Sequence, residues 1–310
     1  MTDSMLSSWV VTARQIAARA LGWLDAAQDR FVLPADIFPD RLNPNKEMKR
    51  LGEMLLAASI ALREGALGSR ETQIASALVD FVWAQLRDGE LLYQLQREQP
   101  IETYPLETYA SFVRIGYRHP QLDQLAAHLN RLRAGRALEV VPNRALAVFN
   151  AERQLGLPPR VDPAVLTART WLGGTPEPWA IDFLTLYGVT HTVFHLTDWG
   201  ARPDGLPVRL QRYLHAWLPA WLEVYLETGD WDLVGELLIV GLCLTEPAHT
   251  PHAWEALAHA QRPDGLLPAS AERVPTDAGK AFRDHYHPTV VAAVAGILAV
   301  SRHINASATR

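Results

Sequence analysis

Apolar residues recur at a helical period along nearly the whole chain, and this constrains the fold more than any other feature. Trp9, Ala13, Ile16, Ala17, Leu21 and Leu24 mark one face of a first helix. The segments KEMKRLGEMLLAASIALR (46–63) and ETQIASALVDFVWAQLR (71–87) repeat the pattern. Further helices are expected near 105–118, 120–134, 143–155, 163–172, 178–198, 206–228, 230–245, 251–261 and 288–304. Alternating β-branched runs between turn residues do not recur, which argues against a parallel sheet. With 310 residues, 48% hydrophobic and 20% charged, the chain is globular rather than disordered. It can build one large domain or two modest ones.

The joints are short and rich in proline and glycine. FVLPADIFPDRLNPN (31–45) is the longest irregular connection, and residues 156–180 hold a second group of prolines. Neither reads as a flexible linker, so a single helical domain over 1–310 is expected, with a possible seam near 156–162. No 34- or 40-residue repeat appears. One echo does: Arg202-Pro203-Asp204-Gly205-Leu206-Pro207 resembles Arg262-Pro263-Asp264-Gly265-Leu266-Leu267-Pro268. Asp-Gly makes a tight turn, and helix, Asp-Gly turn, helix is the rhythm of stacked antiparallel pairs. The expected fold is therefore all-α, an α/α toroid with a central cavity, or alternatively an irregular helical bundle.

Charge and composition narrow the function. A net charge of −5 gives no global basic field, so nucleic acid is not an expected partner. Cys243 is the sole cysteine and can form neither an internal disulfide nor a multi-cysteine metal site. The start, MTDSMLSSWV, lacks the basic region of a signal peptide. The run Val290–Val300 is too short to span a bilayer, so a soluble cytoplasmic protein is expected without membrane partners. There is no glycine-rich phosphate loop, G-x-S-x-G elbow, G-x-G-x-x-G or aspartate-rich diphosphate motif, so no nucleotide cofactor is expected.

The sharpest segment is YGVTHTVFHLTDWG (187–200). If it is helical throughout, His191, His195 and Asp198 share one narrow face, at about 0°, 40° and −20° around the axis. Two imidazoles one turn apart with a following carboxylate make a 2-His-1-carboxylate ligand set. Without metal, Asp198 could orient His195 as a general acid or base. A solvated polar face, or histidines satisfied in the core, is the structural alternative. Glu does not follow His191, where Thr192 stands, so this is not the zincin motif.

The second segment is AFRDHYHPTVVAAVAGILAV (281–300). Pro288 reads as the first residue of a buried helix, which puts His287 at its cap and Asp284 and His285 at its mouth. The positive helix end disfavours imidazolium, and neutral imidazole binds metal or accepts a proton. Asp284 could hold the His287 ring. A capping turn is the alternative. Cys243, in the apolar run LLIVGLCL, is either an inert buried thiol or a thiolate ligand. Glu246 shares its expected face. Glu53 and Glu107 could each point into a cavity or lie on a helix surface. His249, His252 and His259 read as surface residues, and Lys46, Lys49 and Arg50 as a solvated basic cluster.

The order of His-rich helix, mid-helix Cys243 and late His287 resembles the α/α-toroid zinc enzymes, the lanthionine cyclases and the protein prenyltransferase β subunits. That resemblance implies a zinc site of Cys, His and Asp at the top of a helical barrel. The second cysteine of the cyclases is missing, and Gly241 stands where the prenyltransferases have the aspartate of Asp-x-Cys. Gln261 with Asp264-Gly265 resembles the Q-x-x-D-G turns of terpene cyclases. The segments KRLGEML, THTVFHLTDWG and DHYHPTVVA are similar to an uncharacterised group of mostly actinobacterial helical proteins found near peptide and natural-product biosynthesis genes.

Together these readings predict a tailoring enzyme acting on a small molecule or modified peptide by cyclisation, elimination, addition or hydrolysis. His195, Asp198, Asp284 and His287 would be its catalytic residues. His191, His195, Asp198, His285, His287 and Cys243 would be candidate ligands for one divalent metal, zinc or iron. The alternative is a non-catalytic helical binding or partner protein of such a pathway.

Overall fold

A computed structural model describes residues 7–35, 37–38, 43–137, 139–248 and 250–308, and there the chain is all-helical. The α-helices are α1 (Ser8–Ala26), α2 (Lys49–Glu64), α3 (Ser69–Gln85), α4 (Glu90–Glu98), α5 (Tyr104–Arg114), α6 (Pro120–Arg131), α7 (Arg133–Arg136), α8 (Pro142–Gln154), α9 (Pro163–Ala168), α10 (Trp171–Gly174), α11 (Phe183–Thr197), α12 (Val208–Thr228), α13 (Trp231–Cys243), α14 (Pro251–Ala260) and α15 (Ala278–Ala308). Among the described residues there is no strand, and an isolated antiparallel bridge joins Asp230 to Ser270. The first six residues, which carry the signal-peptide expectation, lie outside the described residues.

Start signals in the sequence are used as such. Asp182 accepts from the Thr185 N–H, Asp230 from Leu233 and Thr170 from Gly173, each satisfying an orphan donor of a first turn. Proline opens α6, α8, α9 and α14, where its missing N–H costs nothing. Besides shifted ends and the division of 120–134 and 163–172 into two helices each, two elements differ from expectation. Helix α4 (ELLYQLQRE) was not anticipated; it buries Leu91, Leu92 and Leu95 immediately after Gly89, which turns the chain at φ 89°. Helix α15 begins ten residues before Pro288, so that proline lies inside the helix and His287 is not a cap. The missing Pro288 N–H deprives the carbonyl of Asp284, an exposed residue within reach of water.

The chain divides into two compact units, each discontinuous in sequence. One comprises Met1–Arg30, Ile60–Ala75 and Pro207–Arg310. Its centre is α15, apolar on every side and buried from Val290 to Val300. Helix α15 packs against α1 and α13. Gly296 is where α15 meets α1: a Cβ there would sit 2.4 Å from the Ala13 carbonyl oxygen. By length and composition, residues 278–307 could cross a membrane, but most of that stretch is buried against protein, consistent with a soluble protein. The Asp264-Gly265 turn is locked onto α1. Buried Gln261 donates from Nε2 to the carbonyls of Ile16 and Gly265, and Gly265 itself has φ +99°.

The other unit comprises Phe31–Ser59 and Ser76–Leu206. Helix α8 lies against both α5 and α11, and α4 against α5 and α6. Leu106, Ala110, Ala126, Val148 and Ala151 form a core cluster there. The seam expected near 156–162 falls inside this unit. Arg160 ion-pairs with buried Glu152, and Asn130 donates to the Pro158 carbonyl, tying that segment to α8 and α6. No domain boundary separates them.

Candidate functional site

Helix α11 carries the first histidine pair, and its two sides differ. Leu186, Val189, Thr190, Val193, Phe194, Leu196 and Thr197 are buried. Phe183 and Leu184 are exposed, and Tyr187, Gly188, His191 and His195 are partly so. These last six recur at three- and four-residue spacing, so one open ridge runs the length of the helix.

The two imidazoles on that ridge differ in state. The Nδ1 of His191 lies 3.0 Å from the Tyr187 carbonyl, and the ring stacks on Tyr187 at 3.7 Å between centroids. The Thr190 hydroxyl lies 3.2 Å from the same nitrogen, so Nδ1 has an acceptor and a hydroxyl partner and either tautomer is accommodated. His195 stands 6.0 Å from His191, edge to face, and makes no hydrogen bond among the described residues. Burial holds its pKa well below the ordinary imidazole value, and the neighbouring His191 and Arg144 push it the same way. At neutral pH His195 is uncharged.

Helices α5 and α8 supply the surrounding charges. The Arg144 guanidinium forks onto Glu107, with Nη2–Oε1 at 2.6 Å and Nη1–Oε2 at 3.1 Å. It also donates to the Thr103 hydroxyl at 2.7 Å and lies 4.6 Å from the centroid of the Tyr104 ring. Burial raises the pKa of the Glu107 carboxyl, against the opposing pull of Arg144. Glu107 is thus neither an ordinary surface residue nor an isolated acid.

Asp198 is not on the histidine face. Helix α11 stops at Thr197, and Asp198 takes left-handed angles (φ 49°, ψ 53°), followed by Trp199 and Gly200, also at positive φ. The turn swings the carboxylate towards α5 and α8. Oδ1 accepts from Arg114 at 2.8 Å, Gln154 at 3.1 Å and Asn150 at 3.3 Å, and Arg153 stands 3.7 Å from Oδ2. Arg114 is only 6% exposed and also donates to Ser59. Asp198 therefore anchors three helices instead of orienting His195 or completing a ligand set with His191.

The second cluster lies in the other unit. His285 is buried and accepts at Nδ1 from the Ala269 N–H, which requires the neutral ring; burial lowers its pKa accordingly. The carboxylates beside His287 come from α13 and not from Asp284, which is exposed: Asp232 Oδ1 is 3.6 Å and Glu236 Oε1 3.7 Å from Nε2. Cys243 is fully buried. Helix α13 ends there, so Glu246 is exposed beyond it and shares no helix face with the thiol. Among the described residues, no group of three or more His, Cys, Asp and Glu is placed to hold a metal ion.

The remaining candidates are placed as follows. Glu53 is 16% exposed, 3.6 Å from Lys49. His252 and His259 are exposed, and His249 lies outside the described residues.

A family model described as "Domain of unknown function (DUF6895)" matches residues 17–297. The chain belongs to this family. No curated protein and no solved structure matches it. The family match spans both histidine clusters and the polar seam of α5, α8 and α11.

Sequence reasoning missed the residues that decide the state of each cluster. Arg144 and Arg114 read as ordinary polar positions of amphipathic helices, because their partners are 37 and 84 residues away. A signal did exist for Glu236. A carboxylate within WDLVGELLIVGLC, a helix buried on all sides, must find a partner, and Asp232 one turn earlier marks the same face.

Proposed function

We propose that the chain is a biosynthetic tailoring enzyme that works by acid–base chemistry on a small molecule or modified peptide, with His195 as its base. The observation that carries this is an uncharged imidazole without a hydrogen bond, on the open ridge of α11 and within the field of Arg144. A neutral imidazole takes a proton from a substrate carbon, thiol or hydroxyl. The Arg144 guanidinium then favours the negative charge left behind, with Glu107 and Thr103 fixing its position. The His191 ring, 6.0 Å away, is a second imidazole one turn along the same ridge. Cyclisation, elimination, addition and hydrolysis all need such a transfer. A single divalent metal, zinc or iron, is the alternative source of polarisation. It is checked by elemental analysis of untagged protein, where less than about 0.1 metal per chain excludes it. The toroidal arrangement of helix pairs, the cytoplasmic setting and the kinship with natural-product gene clusters belong to the same reading. Support for them comes from the Asp-Gly turn rhythm and from the three segments quoted above.

A second reading has its own observation. Trp179 is 77% exposed, Leu184 76% and Phe183 49%, where α11 begins. Such a patch suits a non-catalytic partner of a biosynthetic peptide. One experiment separates the two readings: His195→Gln and Trp179→Ser/Leu184→Ser are introduced separately in the producing organism. Loss of product with His195→Gln, at unchanged protein level and melting temperature, is expected. Normal product with His195→Gln, together with loss in the patch variant, would overturn the catalytic reading.

A further inference from the structure

Helix α12 turns Leu210, Leu214, Leu218, Trp221 and Leu222 into its own unit. Its opposite face, at Arg209, Arg212, Ala216, Pro219, Ala220, Glu223 and Glu227, is exposed. These positions recur every three or four residues and form one straight seam. The seam has an order: two arginines at its start, small or apolar residues at its middle, two glutamates at its end.

That order works against the helix that carries it. A helix N-terminus is positive and its C-terminus negative, so Arg209 in the first turn and Glu227 in the last turn both oppose the dipole. The helix dipole therefore does not explain the pattern. It is symmetric, however, about Leu218. Arg209 and Glu227 lie nine residues to either side, Ala216 and Ala220 two residues, and Arg212 and Glu223 six and five. A surface of this kind is complementary to itself when turned end for end. Ala216 and Ala220 at the centre let two helices approach closely, and Trp217 (36% exposed) and Val224 (54% exposed) flank the seam with apolar area.

We propose that a second copy of this chain docks on α12, the two helices antiparallel about a two-fold axis at Leu218. Arg209 and Arg212 of each copy face Glu227 and Glu223 of the other. Such an interface is isologous: the same patch serves both partners. The Arg209–Glu227 span is about 27 Å of helix, so one helix pair carries the contact and the dimer is weak and sensitive to salt. Glu223 also meets exposed His252 of α14 at 2.7 Å, which places that ring at the rim of the interface. This inference is independent of the catalytic reading.

The test is a charge swap on the full chain. Sedimentation velocity is measured from about 5 to about 500 µM, in about 0.02 M and about 0.5 M salt. The wild type is expected to dimerise, with a dissociation constant at least about tenfold weaker in high salt. Arg209→Glu/Arg212→Glu and Glu223→Arg/Glu227→Arg are each expected to be monomeric alone and to form a one-to-one dimer when mixed. Both exchanges favour the helix dipole at the ends, which offsets the loss of the Glu223–His252 contact in the second, and the melting temperature of each is measured alongside. If either fails to fold, Arg212→Gln and Glu227→Gln replace it, each expected to weaken the dimer severalfold. A wild type that stays monomeric at the highest concentration, or variants that dimerise alone as the wild type does, overturns the proposal, as does a mixture that stays monomeric.

Discussion

Replacing Arg114 by methionine removes the donor closest to Asp198 while keeping most of the apolar stem. The structure sets the magnitude. Arg114 is 6% exposed and Asp198 13%, and the bond between them is 2.8 Å. Stranding one member of a buried ion pair costs about 3–5 kcal/mol. Asp198 retains Gln154, Asn150 and the more distant Arg153, which holds the loss to the lower end, about 3 kcal/mol. At about 2–4 °C per kcal/mol, the melting temperature falls by about 6–12 °C. Thermal unfolding followed by circular dichroism, with urea titration for the free energy, reads this directly. Two further variants separate charge from backbone. Asparagine tolerates left-handed angles, so Asp198→Asn loses only the charge, whereas Asp198→Ala adds about 1 kcal/mol of backbone cost. The double variant Arg114→Met/Asp198→Asn is expected to cost less than its two singles together by at least about 1 kcal/mol. A loss below about 0.5 kcal/mol for Arg114→Met, the level of a surface exchange, would refute Asp198 as the anchor of this unit.

Three other outcomes are expected. His285 has a depressed pKa in the folded chain, so its contribution is full above about pH 6.5 and is lost as pH falls through its folded value. Melting curves from pH 8 to pH 5 should show a steeper acid decline for the wild type than for His285→Gln, and parallel curves would contradict the Ala269 bond. His195 titration followed by NMR should leave its ring neutral well below pH 6.5, and Arg144→Gln should move that midpoint upward; an unmoved midpoint would remove Arg144 from the site. Gly265→Ala forces a Cβ to within 2.2 Å of the Arg19 carbonyl oxygen at φ +99° and should cost on the order of 3 kcal/mol by denaturant titration.

Apolar periodicity carried most of the helices from α1 to α14, though not α4, because a stripe at three- and four-residue spacing admits one secondary structure. It failed at Pro288. Proline read as a first residue, yet α15 runs through it; the residue whose carbonyl loses its donor, Asp284, is exposed. It also failed at Asp198, where a face was projected across a helix end. The sequence Thr-Asp-Trp-Gly contains a glycine at the right place for a stop, but nothing local says that two residues before it also turn left-handed. The histidines of α11 were legible as a pair. Their state was not, because it depends on Arg144, on the same unit but a different helix. For His287 the neighbours lie some 50 residues earlier, on α13, beyond the reach of any local spacing rule.

The packing of α1 against α15 has a consequence for how the chain is made. These two helices lie near opposite ends of the sequence, α1 ending at Ala26 and α15 starting at Ala278. At about 5–20 residues per second, a ribosome takes tens of seconds to deliver the partner that covers Ile16, Ala17 and Leu21. The unit built from Phe31–Ser59 and Ser76–Leu206 is fully synthesised well before then. Nascent chains should therefore acquire protease resistance in that middle portion first, with α1 held open to chaperones until α15 has been made.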